Sequence, residues 1–264
     1  MNAPVDFQTS LLGNSTASAA MTMATTGLPQ PYTPLPTAAP LPPKVITPPK
    51  PPSWVKGDPA LEKKADRRAA GARNAKLVTE ANKSKTRYDF VLFGDSITQF
   101  VADKNMDIWN KHFGTLKKSA PLGVSGNTVE ELSWRVALGK ERFAVSPKCV
   151  ALLIGINNVK NPGVPEPSEK LDTFLLPYMR AVWPESKIIL LGLMPNKFVD
   201  VSPTNARYKK IAEKHGVQYA LCGTDMVATN TKDFKDGTHP ATDGYHKFYS
   251  CLKPLVTAAI ASFQ

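Results

Sequence analysis

The clearest pattern along the chain is a set of short, near-continuous apolar runs separated by segments of helical period. Residues 88–93 (YDFVLF), 149–154 (CVALLI) and 187–193 (KIILLGL) are the strongest of these runs. Such runs read as strands buried on both faces. Weaker runs at 118–122 and 217–221 bring the total to about five. Between them, apolar residues recur at helical spacing. Met106, Trp109 and Phe113 follow a capping Asp103, and Val129, Leu132, Trp134 and Val136 lie within 128–138. Further helices are predicted over 168–182, 204–215 and 243–260, the last with a kink near Pro254. Buried strands alternating with amphipathic helices predict an α/β domain with a central parallel sheet covered on both faces. No internal repeat is visible.

The N-terminal third follows a different pattern. Residues 1–59 hold 13 of the 24 prolines. They predict a Pro-rich extended or disordered arm that cannot build a core. Such an arm is either a solvated tail or a segment that lies along a partner, with Trp54 as an exposed anchor. Residues 60–87 predict a basic helical connector. Its apolar positions, Leu61, Ala65, Ala69, Ala72 and Ala75, give only a thin stripe, and Gly71 is a candidate break. The α/β domain is expected over 88–264.

Charge sharpens this division. The net charge is +11, yet residues 88–264 carry 21 basic and 17 acidic residues, against 12 and 4 in residues 44–87. A domain so close to neutral lacks the basic face of a specific nucleic-acid binder. The connector reads as a solvated basic helix or as a segment that touches an anionic partner. Cys149, Cys222 and Cys251 are widely spaced and odd in number, which predicts free buried thiols rather than a zinc site or a disulfide framework. No secretory signal and no run long enough to span a bilayer is evident, so the expected location is intracellular.

Four segments carry candidate chemistry: Gly94-Asp95-Ser96, Gly123-Val124-Ser125-Gly126-Asn127, Gly155-Ile156-Asn157-Asn158 and Asp236-Gly237-Thr238-His239. The first three follow strands, and in a parallel sheet they meet at the carboxyl end, where ligands bind. Their residue types suit acyl transfer. A serine needs a base, histidine serves near neutral pH, a carboxylate orients it, and N–H donors meet the oxyanion. Each piece has a plainer reading. Ser96 can begin a helix, Gly123 and Gly126 can be turn glycines, and Asn157 can shape a turn. His112 and His215 suit helix ends, and His246 lies within a helix. Only His239 has an acid three residues before it in a loop. Ser125 is an alternative nucleophile, although Asn127 stands where a G-x-S-x-G elbow needs its second glycine.

Taken together, the four segments resemble the blocks of the SGNH or GDSL hydrolase superfamily over residues 88–264. Asp107-Ile108-Trp109, Gly126-Asn127-Thr128, Trp134-Arg135 and Gly155-Ile156-Asn157-Asn158 resemble its platelet-activating-factor acetylhydrolase catalytic-subunit group. The resemblance implies a flavodoxin-like three-layer sandwich with strand order 2-1-3-4-5. It implies Ser96 as nucleophile, His239 as base and Asp236 as orienting acid, with Ser96 N–H, Gly126 N–H and the Asn157 amide as oxyanion donors. Asn158 stands where many members have Asp, as it does in the acetylhydrolase-like group. The expected function is therefore a serine esterase for small, chiefly acetyl, esters on a carbohydrate, lipid or other alcohol, with no cofactor or metal. Two other classes stand beside it. One is an assembly subunit, capsid- or particle-like, that uses a hydrolase fold and is laced to partners through residues 1–87. The other is an ester-binding, lectin-like module, which would lack the nucleophile or the base.

Overall fold

The computed structural model describes residues 47–55 and 65–263. Of the arm expected over residues 1–59, residues 1–46 and 56–59 lie outside the described residues, as do residues 60–64 of the connector, Leu61 among them. Helix α1 (Ala65–Lys83) is followed by strand β1 (Phe90–Gly94), α2 (Ser96–Lys104), α3 (Met106–Phe113), β2 (Ser119–Gly123) and α4 (Val129–Ala137). Next come β3 (Cys149–Leu153), α5 (Ile156–Lys160) and α6 (Ser168–Lys170). The chain passes through a π turn (Leu171–Leu175) into α7 (Leu176–Val182), then β4 (Lys187–Leu191), α8 (Ser202–His215), β5 (Gln218–Ala220) and α9 (Thr242–Ala261). The five strands form one sheet, all pairs parallel, in the order β2-β1-β3-β4-β5.

Alternation along β1 shows why both faces are covered. Successive strand side chains point to opposite faces. Phe90 stacks on Trp109 of α3 at 5.4 Å and meets Phe113 at 4.9 Å. Phe93, three residues on, stacks at 5.8 Å on Trp183, which follows α7. The five residues of β1 and of β3 are all buried. This burial on both sides explains runs that are apolar throughout rather than alternating. Burying each such large side chain contributes about 1.5–3 kcal/mol relative to leaving it in water.

Three differences from the sequence reading concern the first half of the chain. Residues 96–104 form α2 directly after β1, because Asp95 caps it: Asp95 Oδ1 accepts from Ile97 N–H at 3.0 Å. Helix α1 runs through Gly71 without a break. Its buried face is not the alanine stripe but Ala70, Asn74, Val78 and Ala81, while Ala69 and Ala72 are exposed. The misreading arose because Asn74, buried and donating to the Gly123 carbonyl at 3.2 Å, belongs to the packed face despite being polar. Trp54 likewise is not an exposed anchor. It packs edge-on against Phe174 at 5.5 Å beneath the Lys170 ammonium, and its neighbour Val55 is buried.

The cysteine reading is also corrected. Cys222, just after β5, and Cys251, within α9, form a disulfide with Cα atoms 5.6 Å apart, and only Cys149 is free. Their 29-residue separation hides a spatial contact between the segment after β5 and helix α9. Burial pushes the Cys149 thiol up to about 12, which makes it inert. No described helix is long and apolar enough to cross a membrane.

Candidate active site

The register of the sheet places the first three segments at one end. Gly94 pairs with Gly123 on one side and Leu153 on the other, so the loops after β1, β2 and β3 leave together. The first two are held almost in contact. A Cβ at Gly123 would lie 2.5 Å from the Asp95 carbonyl oxygen, and a Cβ at Gly94 2.7 Å from that of Leu153. Only residues without a side chain allow this approach.

Ser96 opens α2 and is 5% exposed. Its Oγ lies 2.8 Å from His239 Nε2, and His239 Nδ1 lies 2.7 Å from Asp236 Oδ2. Asp236 Oδ1 accepts from the N–H groups of Thr238 (3.0 Å) and His239 (2.8 Å). The turn bearing this pair is closed by a bridge between Phe234 and Pro240, and Gly237 takes φ 80° within it. Partial burial acts to raise the Asp236 pKa, but the hydrogen bonds from the His239 ring and the two N–H groups outweigh it, bringing the carboxyl to about 2. Phe100 of α2 backs the imidazole, ring centres 4.8 Å apart.

Gly126 has φ 75° and lies in the loop joining β2 to α4. That loop is fixed from two sides. The Ser125 N–H donates to Gln99 Oε1 at 2.6 Å, so Ser125 is tied by its backbone to α2. The Asn157 amide, from α5, donates to the Asn127 carbonyl at 2.9 Å. The fold thus brings the loops of Ser96, Gly126 and Asn157 together and adds the Asp236–His239 pair. His112 and His246 instead face each other, 3.1 Å apart, and His215 pairs with Asp172 at 2.7 Å. Among the described residues no three His, Cys, Asp or Glu side chains gather as a metal site.

Two further groups support the site from beneath. Arg135 is buried beneath the loops. It makes a two-pronged bond to Glu141 (3.0 and 2.6 Å) and donates to the carbonyls of Gly94 (3.0 Å) and Leu122 (2.7 Å) and to Asn127 Oδ1 (3.1 Å). It therefore ties the ends of β1 and β2 to the loop holding Gly126. The only sequence signal was its place after Trp134 in a helix of otherwise ordinary pattern. Asp95 is the second. Full burial pushes its carboxyl up to about 7, against the lowering effect of the Ile97 and its own backbone N–H groups, Arg135 and Lys160.

Asn158 explains its own departure from Asp. Its Oδ1 accepts from Val129 N–H at 3.0 Å, while its Nδ2 donates to Glu130 Oε2 (2.9 Å) and the Pro165 carbonyl (3.0 Å). A carboxylate has no donor for these two acceptors.

Comparison with known proteins gives the family and the fold. Residues 92–247 match the model of the GDSL-like Lipase/Acylhydrolase family. No curated protein sequence shows significant similarity to the chain. Among solved structures, a protein provisionally described as a platelet activating factor, from Streptococcus pneumoniae, superposes with TM-score 0.60 at 20% identity, over 75% of this chain and 94% of its own. A member of the lipolytic protein G-D-S-L family from Veillonella parvula superposes with TM-score 0.52 at 15% identity, over 64% and 97%. At these identities the structural likeness shows the fold.

Proposed function

Since this chain belongs to the GDSL-like lipase/acylhydrolase family and is an ester hydrolase, we propose that it is a serine esterase for small acyl groups, acetyl foremost, acting through Ser96, His239 and Asp236. The observation that carries the reading is the unbroken path of contacts from Ser96 Oγ through His239 to Asp236. His239 Nε2 takes the Ser96 proton as Oγ attacks the ester carbonyl. The carbonyl oxygen gains the charge, and the N–H groups of Ser96 and Gly126 and the Asn157 amide are its proposed donors. The carbonyl–alkoxy bond then breaks, and the alcohol leaves with the proton held by His239. Water attacks the acyl-Ser96 ester, giving its proton to His239. The carboxylic acid departs as Ser96 Oγ recovers a proton. Asp236 holds the imidazole with Nδ1 protonated and stabilises the imidazolium formed in each half-reaction.

An assembly subunit retaining only the fold would not require a base within reach of Ser96, so these contacts favour retained catalysis. Residues 1–87 stay the proposed attachment segment for any protein partner. Labelling with a fluorophosphonate, followed by peptide mass spectrometry, tests the assignment. The adduct is expected on the peptide containing Ser96 and is expected to vanish in Ser96→Ala. An adduct on Ser125, or none in folded protein, overturns it.

A further inference from the structure

Helix α1 carries the observation. Arg67, Ala70, Asn74, Val78 and Ala81 recur at spacings of three and four residues, which places them on one helical face. The last four are buried, and Asn74 holds the Gly123 carbonyl at the end of β2. Arg73 forms an ion pair with Asp103 of α2, which fixes the helix from a second direction. Arg67 precedes Asn74 by two turns, about 10 Å along the axis. That offset carries it from Gly123 to Gly126. Its guanidinium lies over Gly126, where an added Cβ would overlap Nη2 and stand 2.8 Å from Cζ and 3.3 Å from Nε. Gly126 therefore leaves room for an arginine at the oxyanion side of Ser96.

Nothing among the described residues neutralises this cation by an ion pair. The acids opening α4 have other contacts: Glu131 Oε2 accepts from Thr128 N–H, and Glu130 is bonded to Lys170 and Asn158. The other side of the mouth is also basic. Lys160 donates to Thr238 Oγ1 at 2.9 Å, beside His239, and lies 5.0 Å from the exposed ring of Phe198. Lys197 covers Gly237 with its aliphatic stem. The carboxylate facing this region, Asp236, is bonded to His239.

We infer that Arg67 is a specificity-determining residue that selects esters bearing an anionic group near the scissile carbonyl, a carboxylate or a phosphate. The inference rests on the Ser96 esterase reading. A guanidinium presents paired donors that match either anion in a two-pronged contact. Asn74 and Arg73 fix the helix from which those donors reach the loop of Gly126.

The test compares kcat/KM for charged and neutral esters. 4-Acetoxybenzoate and 4-acetoxyphenyl phosphate supply the two anions on the alcohol side, mono-p-nitrophenyl succinate supplies one on the acyl side, and 4-acetoxybenzamide and p-nitrophenyl acetate are the neutral references. Arg67→Gln is expected to lower the charged-to-neutral ratio roughly tenfold or more for at least one anion, the range for losing a hydrogen bond to a charged group. Arg67→Lys, which keeps the charge without the fork, is expected to recover only part of it, and serves as the decisive variant should Arg67→Gln not fold. A ratio within twofold of wild type for all three anions overturns the inference and leaves the esterase reading standing. No turnover of any ester by wild-type protein defeats both.

Discussion

Ser96 Oγ and His239 Nε2 lie 2.8 Å apart across 143 positions of sequence. Their meeting depends on two short-range devices at opposite ends of the domain. Asp95 starts α2 at the end of β1, and the bridge between Phe234 and Pro240 folds the late loop back so that its histidine faces the sheet. Neither residue is held by its partner alone, which allows the two sides to be tested separately.

Asn157 is tested by removing its amide. Its Nδ2 carries two N–H groups, one of which is bonded to the Asn127 carbonyl. With the other as an oxyanion donor, Asn157→Ala lowers kcat by about 10²–10³ with little change in KM. If the residue only shapes the loop, the melting temperature falls instead and kcat of the folded fraction stays within a few-fold.

Asp236 makes a prediction for acid. Its folded pKa of about 2 lies below the ordinary 3.8, so the folded state holds fewer protons between them. Its contribution to stability is therefore present above pH 3.8 and is lost as pH falls towards 2. The melting-temperature gap between wild type and Asp236→Asn should be open at pH 6 and close on acidification through that window. A gap that is constant from pH 6 to pH 2 contradicts the assignment.

Asp95 has the opposite sign. Burial raises it to about 7, so the folded state keeps a proton that the unfolded chain releases near 3.8. Its favourable contribution is full below 3.8 and disappears as pH rises through 7. Asp95→Asn retains an oxygen for the Ile97 N–H and cannot ionise. The stability of Asp95→Asn relative to wild type should rise between pH 4 and pH 8, as read by thermal melting. No change across that interval would mean that Asp95 titrates alike in both states.

Arg135 and Glu141 form a buried pair, 2% and 3% exposed. Arg135→Met strands the Glu141 carboxylate and three acceptors, and should cost about 3–5 kcal/mol in chemical denaturation. Arg135→Met with Glu141→Leu should recover part of that stability, because no buried charge is left unpaired. Activity should stay reduced in the double variant, since the Gly94, Leu122 and Asn127 oxygens still lack their donor.

Much of this architecture was legible because the strands announce themselves. The runs at 149–154 and 187–193 can only be satisfied inside a covered sheet, and β3 and β4 lie within them. The late loop was legible because Asp236 and His239 are three residues apart, and the acid bonds both the histidine's ring and its N–H. The start of α2 at Ser96 was one of the readings open from sequence, but its course to Lys104 was not legible, since the residues after Ser96 form a strand-like run of β-branched and aromatic residues that the Asp95 cap starts as helix. The face of α1 was missed for a related reason: one polar residue, Asn74, stands where the period needs an apolar one. Arg135 was invisible as a structural hub, because a single arginine on a helix looks like surface until the carbonyls it joins have been placed. The pairing of Cys222 with Cys251 likewise becomes apparent only once the segment after β5 and helix α9 have been placed side by side.

That disulfide closes a covalent ring around the stretch from Cys222 to Cys251, and both Asp236 and His239 lie inside it. A protease that cuts once within the ring opens a chain without dividing a molecule: both pieces stay tethered through sulfur. Such a nicked protein would run as one species on a denaturing gel until a reductant is added, and then as two. Asp236 and His239 are thereby shielded from loss by a single cleavage within the ring, while Ser96, at the start of α2, relies on burial alone.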